Sequence, residues 1–116
     1  MQRRFRLTRS IDFKRVRNYG KSFAHPLLVL IALASEEEIL RVGVAASRSL
    51  GGAVQRNRAK RLLREASRLE IPSLQTGRDL VFIARQPLLQ ADFSDIQKAI
   101  KGLLRRASLY KPVENE

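Results

Sequence analysis

Six of the fifteen side chains from Val54 to Arg68 are basic, and only one is acidic. A helix that carries almost only one sign of charge is usually held next to the opposite sign. The self-repulsion costs about 0.2–0.5 kcal/mol for each i,i+4 pair, and counterion release on a polyanion gains far more. The segment is therefore predicted to bind phosphates. Its basic residues are Arg56, Arg58, Lys60, Arg61, Arg64 and Arg68.

Leucines and alanines give the same segment a second face. At about 100° per residue, five of the six basic side chains fall within roughly 140° of arc, and the apolar ones fill a facing arc of roughly 120°. The apolar residues are Ala59, Leu62, Leu63, Ala66 and Leu69. This pattern predicts a helix that docks on a sheet and turns a continuous basic stripe outward. Arg58 lies near the boundary, where its stem can pack while its head reaches out.

The chain offers few groups for catalysis of its own. It has no cysteine, which excludes disulfides, thiolate catalysis and zinc fingers. His25 has no second histidine as a partner, and no pair of carboxylates suggests two-metal hydrolysis. We expect His25 to be structural or to contact RNA. Gly51-Gly52 lacks the Lys-Ser/Thr of a Walker loop and is predicted to form a tight turn before the helix.

Composition narrows the class of partner. A length of 116 residues fits one domain, and a net charge of +12 with a pI near 11.4 implies an anionic partner. The 17 arginines against 6 lysines favour nucleic acid, because a guanidinium matches phosphate oxygens and stacks on bases. A membrane surface fits less well, since the apolar face has no Phe or Trp. RNA fits better than DNA in a chain without a clear helix-turn-helix, although charge alone does not separate the two.

An apolar run from Pro26 to Ala34 imitates a secretory signal that ends in an Ala-x-Ala site. The run is too short to span a bilayer, and it lies well after the arginine pair at the start of the chain. It is more typical of a buried strand. The sequence therefore predicts a cytoplasmic protein that does not insert in a membrane.

Turn-forming residues divide the chain into helices and strands. Ser10 is predicted to cap a short helix that ends at Gly20, and a last helix is predicted from Asp92. Strands are predicted at 21–25, 27–34, 39–46 and 79–85, with the three glutamates at 36–38 as the polar tip of a hairpin. Residues 1–9 read as a mobile basic arm and 111–116 as a frayed tail. The order α-β-β-β-α-β-α predicts a single-domain α+β fold, a two-layer sandwich of one central sheet against helices.

The stretch "RVGVAASRSLGGAVQRNRAKRLLREASR" resembles the signature of the bacterial ribonuclease P protein component. That family opens its basic helix with an Arg-Asn-Arg core after a glycine turn, here Arg56-Asn57-Arg58. Further similarity lies in "DFKRVRNYGKS", "FIARQP" and "LLRRASLYK", so the resemblance runs from about residue 5 to residue 111. The resemblance implies a left-handed β-α-β crossover, as in a domain of a small-subunit ribosomal protein.

The resemblance also implies a role. The family's ribonucleoprotein removes 5′ leaders from precursor tRNA, and its RNA subunit performs the hydrolysis with bound magnesium. The protein would have no cofactor, catalytic residue or small-molecule substrate of its own. Contacts to the RNA subunit are implied for Arg56, Asn57, Arg58, Lys60, Arg61 and Arg64, and the basic stripe adds Arg68. The alternative is a non-catalytic structural RNA-binding protein of the ribosomal-protein kind, and the 43–68 segment favours the first reading.

A second implied site is a cleft between the sheet face and the first helix, which would hold the leader. Phe13, Arg48 and Arg85 are expected to line it. Arg17 and Ile31 stand where relatives often carry aromatic residues. Because an arginine replaces one of these aromatics, a guanidinium stacked on a leader base is expected at Arg17.

Overall fold

The structure, a computed structural model, describes residues 6–112. The helices are α1 (Ser10–Tyr19), α2 (Ala53–Arg68) and α3 (Phe93–Arg106), and the strands are β1 (Lys21–Ala24), β2 (Leu28–Ala34), β3 (Leu40–Ala46) and β4 (Arg78–Ala84). Short 3-10 turns follow β3, α2 and β4 at Arg48–Leu50, Ile71–Ser73 and Gln86–Gln90. The predicted element order is confirmed.

The four strands form one mixed sheet in the order β1-β2-β4-β3. β2 pairs antiparallel with β1 and β4, whereas β3 pairs parallel with β4, so β3, α2 and β4 form a β-α-β unit. The predicted hairpin between β2 and β3 is therefore wrong, because β4 lies between these two strands. β4 is buried along most of its length and needs a neighbour on each edge.

The loop at 35–39 passes the start of β4 instead of closing a hairpin. The amide of Ser35 donates to the carbonyl of Gly77 at 2.9 Å, and the amide of Gly77 donates to the carbonyl of Ile39 at 3.0 Å. The three glutamates of this loop are exposed, as expected for a solvated turn. Two backbone hydrogen bonds thus hold the crossing where the sequence suggested a tight turn.

Alternating side chains divide the sheet into two apolar faces. On one face, Leu80, Phe82 and Ala84 of β4 join the main core, which α2 and α3 cover. On the other face lies a smaller cluster, which consists of Leu7, Val16, Ile31 and Val81. α1 packs over this second face and covers only part of it.

α2 docks by its apolar side, as predicted. Ala59, Leu63 and Ala66 are buried, and Leu62 is partly buried against the same core. Leu69 departs from the prediction, since half of its surface is exposed. Leu69 is the C-cap residue of α2, one position beyond the last residue of the helix.

Within the predicted mobile arm, Leu7 is held against the sheet. Leu7 is buried, and its amide donates to the carbonyl of Val42 at 2.9 Å. The helix then begins at Ser10 itself, and the cap position falls on Arg9, which makes no side-chain capping hydrogen bond. At the other end, the amide of Lys111 donates to the carbonyl of Ser73 at 2.9 Å, so the predicted fraying does not include it. Residues 1–5 of the arm and 113–116 of the tail lie outside the described residues.

Candidate nucleic-acid interface

A glycine turn starts the basic helix. Gly51 has φ +126°, a conformation that side chains other than glycine rarely adopt, and Gly52 occupies the N-cap position of α2. The predicted tight turn is confirmed. It leads directly from β3 into the segment that carries the basic stripe.

The stripe separates into two groups on the folded helix. Arg61 and Arg68 are exposed, and Arg68 forms an exposed ion pair with Glu65 at 3.2 Å. Arg56, Lys60 and Arg64 are half-buried at successive i,i+4 positions. Asn57 is exposed beside them. The basic side chains of α2 thus differ in exposure: some face open solvent, and others are half-buried near β3, the edge strand of the sheet.

Two of the half-buried side chains, Lys60 and Arg64, meet the N-terminal segment in a small cavity of about 250 Å³. Its cations are Arg6, Lys60 and Arg64, and Phe13 and Val44 complete much of the wall. Burial, followed by the charge of Arg6, lowers the pKa of Arg64. No ion pair among residues 6–112 includes these three cations. Their mutual repulsion would be relieved by a bound phosphate.

Arg58 and His25 make structural contacts. Arg58 is exposed, and its guanidinium donates to the carbonyl of Leu89 at 3.2 Å, which ties α2 to the turn after β4. Nδ1 of His25 accepts from the amide of Leu27 at 3.0 Å and shapes the loop between β1 and β2. Arg58 is exposed and His25 is half-buried, so these hydrogen bonds are compatible with the expected RNA contacts.

A larger cleft of about 790 Å³ lies between α1 and the end of β3. Phe13, Lys14 and Arg17 line it from the helix and Ala45 from the strand. Phe13 also lines the smaller cavity beside α2, so the two sites share one aromatic ring. The structure therefore brings Phe13 and Arg17 together, as the helical spacing predicted.

Gly43 lets the ring of Phe13 lie directly on the backbone of β3. A Cβ atom at this position would approach the ring to 2.6 Å at Cζ, a separation at which atoms must shift. Any larger residue at 43 would have to displace the ring of Phe13. The glycine thus makes room for this ring against β3.

The other residues expected in the cleft are placed elsewhere. Ile31 is only 7% exposed and packs with Val16 beneath α1, so it offers little surface to a ligand. Arg48 and Arg85 are both exposed. They follow the parallel strands β3 and β4 and so lie at the same end of these strands. The guanidinium of Arg85 donates to the carbonyl of His25 at 3.2 Å. Neither arginine lines the cavity around Phe13.

A cluster of four charges, which the sequence did not reveal, holds α1 on the sheet. Asp79 of β4 is fully buried, and its carboxylate accepts from Arg41 of β3 at 3.0 and 2.9 Å and from Arg15 of α1. Asp12 of α1 lies 3.4 Å from Arg15 and 3.8 Å from Arg41. We call these four residues the α1 ion cluster. The pattern of charges along the chain gave no signal for it, because its acids lie far apart in sequence.

The α1 ion cluster changes the ionisation of its members. Burial opposes the charged carboxylate of Asp79, but the hydrogen bonds from Arg41 and Arg15 outweigh it, so the pKa of Asp79 is lowered. The hydrogen bond to Asp79 raises the pKa of both arginines. Asp79, Arg15 and Arg41 are therefore charged at neutral pH.

Comparison with known proteins identifies the family. The sequence model described as Ribonuclease P matches residues 1–108. The ribonuclease P protein component of Chloroflexus aurantiacus is 45% identical over 100% of this chain and 87% of its own length. That of Clostridioides difficile is 42% identical over 89% of this chain and 91% of its own. The chain belongs to the ribonuclease P protein family.

Solved ribonuclease P proteins share the fold. The Staphylococcus aureus protein superposes with a TM-score of 0.82 at 30% identity, covering 92% of this chain and 98% of its own. The Thermotoga maritima protein gives a TM-score of 0.77 at 28% identity, with coverages of 95% and 98%. The resemblance in the 43–68 segment is thus confirmed at the level of both family and fold.

The α1 ion cluster should make the stability of this ribonuclease P protein sensitive to acid. Replacing Asp79 with Asn leaves two cations beside a neutral amide, and we expect the free energy of unfolding to fall by about 3–5 kcal/mol near neutral pH. Because the folded-state pKa of Asp79 is lowered, its stabilisation is complete above the ordinary value of 3.8 and is lost as pH falls through the folded pKa. Urea unfolding of both proteins should therefore give converging stabilities below pH 3.8. A difference that stays constant into that range would contradict the assignment.

Proposed function

We propose that this chain binds the RNA subunit of ribonuclease P through α2 and holds the 5′ leader of precursor tRNA in the cleft beside α1. Membership of the family makes it an RNA-binding subunit of ribonuclease P, an endoribonuclease of tRNA 5′ maturation. One observation carries the finer proposal. The ring of Phe13 belongs to both the cavity beside the basic helix and the cleft of α1. A single RNA-binding surface can therefore reach two RNA segments.

The exposed side of α2 is the part we assign to the RNA subunit. Arg61 and Arg68 face solvent, and the glycine turn brings Arg56 near the start of the helix. Folded RNA presents closely spaced phosphates, and each one neutralised by a cation releases counterions. Arginine forks suit this surface because they bind phosphate through two parallel hydrogen bonds.

The cleft suits a single strand better than a duplex. Unpaired bases can be splayed out and stacked on aromatic rings or on guanidinium planes. Phe13 supplies a ring, Arg17 supplies a plane with a charge, and Lys14 adds a cation at the same wall. We assign stacking to Phe13 and Arg17 and leave Ile31 out, because it lies under the helix.

The hydrolysis is assigned to the RNA subunit together with the magnesium that the family implies. Within residues 6–112, no group of three or more His, Asp or Glu side chains could hold a metal ion. No helix in this part of the chain is long and apolar enough to cross a membrane. The chain's own residues would act by binding and orienting two RNA molecules, and none of them is proposed to move a proton.

Reconstitution tests the proposal. The purified chain alone should not cleave precursor tRNA, whereas adding it to ribonuclease P RNA should lower the magnesium concentration needed, since its cations take over part of the charge screening. Cleavage rates across a magnesium titration, with and without the protein, measure the effect. Robust cleavage by RNA-free protein would sink the assignment, and an RNA reaction indifferent to the protein would favour a purely structural RNA binder.

The two faces of α2 should respond oppositely to truncation. Arg61→Ala should leave the fold intact and weaken binding to the RNA subunit, reducing the salt slope of the affinity by about one. Leu63→Ala, which empties a fully buried site, should cost about 2–5 kcal/mol of stability. Filter binding at several salt concentrations and urea unfolding report the two quantities. Loss of folding in the arginine variant with no effect of the leucine change would reverse the assignment of faces.

Arg17 should distinguish substrates that carry a leader. Arg17→Ala should weaken binding of precursor tRNA to the holoenzyme more than binding of mature tRNA, and the difference should shrink as salt rises because the lost contact is partly ionic. Arg17→Phe should recover much of the affinity with a flatter salt dependence, since stacking releases no counterions. Equal losses for both tRNAs would mean that Arg17 does not touch the leader.

A further inference from the structure

Asp79 is the only charged side chain that is buried among residues 6–112. It stands directly opposite Arg41 in the parallel pairing of β3 with β4, and two hydrogen bonds join their side chains. A hydrophobic residue at 79 would stabilise the sheet as well as Asp79 does or better, because buried ion pairs seldom add net stability. The position of Asp79 therefore calls for a role besides filling the core.

Its third hydrogen bond indicates that role. Arg15, the donor, lies on α1 midway between Phe13 and Arg17, which both line the cleft. Val16 is the only fully buried residue of α1. Phe13 of the same helix is partly buried in the smaller apolar cluster as well. Apolar contact is non-directional, so these two side chains alone would let the helix rotate or slide on the sheet. The charge-assisted bond from Arg15 has a fixed geometry and prevents both motions.

We propose that Asp79 is a positioning residue for leader binding: by holding Arg15, it fixes the rotation of α1 at which Phe13 rests on Gly43 and the cleft stays open. The inference rests on the proposed assignment of the cleft to the leader. Asp79 itself is fully buried beneath the helix and touches no ligand. Its effect passes through α1.

The sign of the charge change separates positioning from simple electrostatics. Asp79→Asn removes a negative charge and frees Arg15, so any account based on charge alone predicts tighter binding of every RNA. Positioning predicts the reverse for the leader. In the reconstituted holoenzyme, the preference for precursor over mature tRNA should fall by about tenfold. An unchanged or stronger preference in this variant overturns the proposal.

A second variant covers the case in which Asp79→Asn does not fold. Arg15→Gln removes the charged bond from α1 to Asp79, together with the longer bond from Arg15 to Asp12 within the helix, and Asp79 keeps both hydrogen bonds from Arg41. The preference for precursor tRNA should again fall, and the loss should persist as salt rises, because a misplaced ring is not screened by ions. A loss that disappears at high salt would mean that Arg15 contacts the leader directly, which also overturns the proposal.

Two controls complete the experiment. Ile100→Val weakens the main core on the opposite sheet face and should lower stability without changing the preference for precursor tRNA. If it changes the preference as much as Asp79→Asn does, general destabilisation explains the effect and positioning is refuted. The unaltered protein must itself favour precursor tRNA. If it does not, the cleft is not the leader site, and the proposed function fails together with this inference.

Discussion

The packing of α1 on the second sheet face depends on one buried carboxylate, that of Asp79, which lies beneath the helix. The chain has 23 basic residues and 11 acidic ones, and it places one of its few acids where no solvent reaches. The two cations around it are Arg41 of β3 and Arg15 of α1, and Asp12 of α1 is a second acid beside them. Apart from these bonds, Val16 and the partly buried Phe13 hold α1 on the sheet. The open cleft exists because the helix is held at one side and leaves the other side bare.

The large excess of positive charge is distributed so that the fold tolerates it. Cations of α2 lie at the rim of the main core, and the leucines and alanines between them carry the packing. At the β3 edge, three cations converge, and none of them forms an ion pair with an acid of residues 6–112. The lowered pKa of Arg64 reflects burial and the charge of Arg6. Such a site is costly in the free protein and favourable on a phosphate. One side of this helix thus packs in the core, and the other carries the cations that we assign to RNA.

Local pattern predicted the elements well and their assembly less well. The basic helix, its glycine turn and the pairing of Phe13 with Arg17 all follow from spacing within a few turns. The place of β4 between β2 and β3 does not, because strand neighbours depend on contacts between residues far apart in sequence. The α1 ion cluster is hidden for the same reason: Asp12 and Asp79 come together only after the sheet has formed. Ile31 was matched to relatives by position alone, and its burial beneath α1 could be seen only in the folded structure.

The crossing of β2 to β3 has a consequence for synthesis on the ribosome. β1 and β2 form a hairpin as soon as both have emerged, but β3 has no edge to join until β4 arrives, because β4 separates it from β2. The helix that links β3 to β4 must therefore appear with its leucines uncovered and its arginines already charged. Domains generally acquire structure in the order of their emergence, and here the chain has to wait for its last strand. During that interval the nascent segment is a flexible polycation within reach of ribosomal RNA.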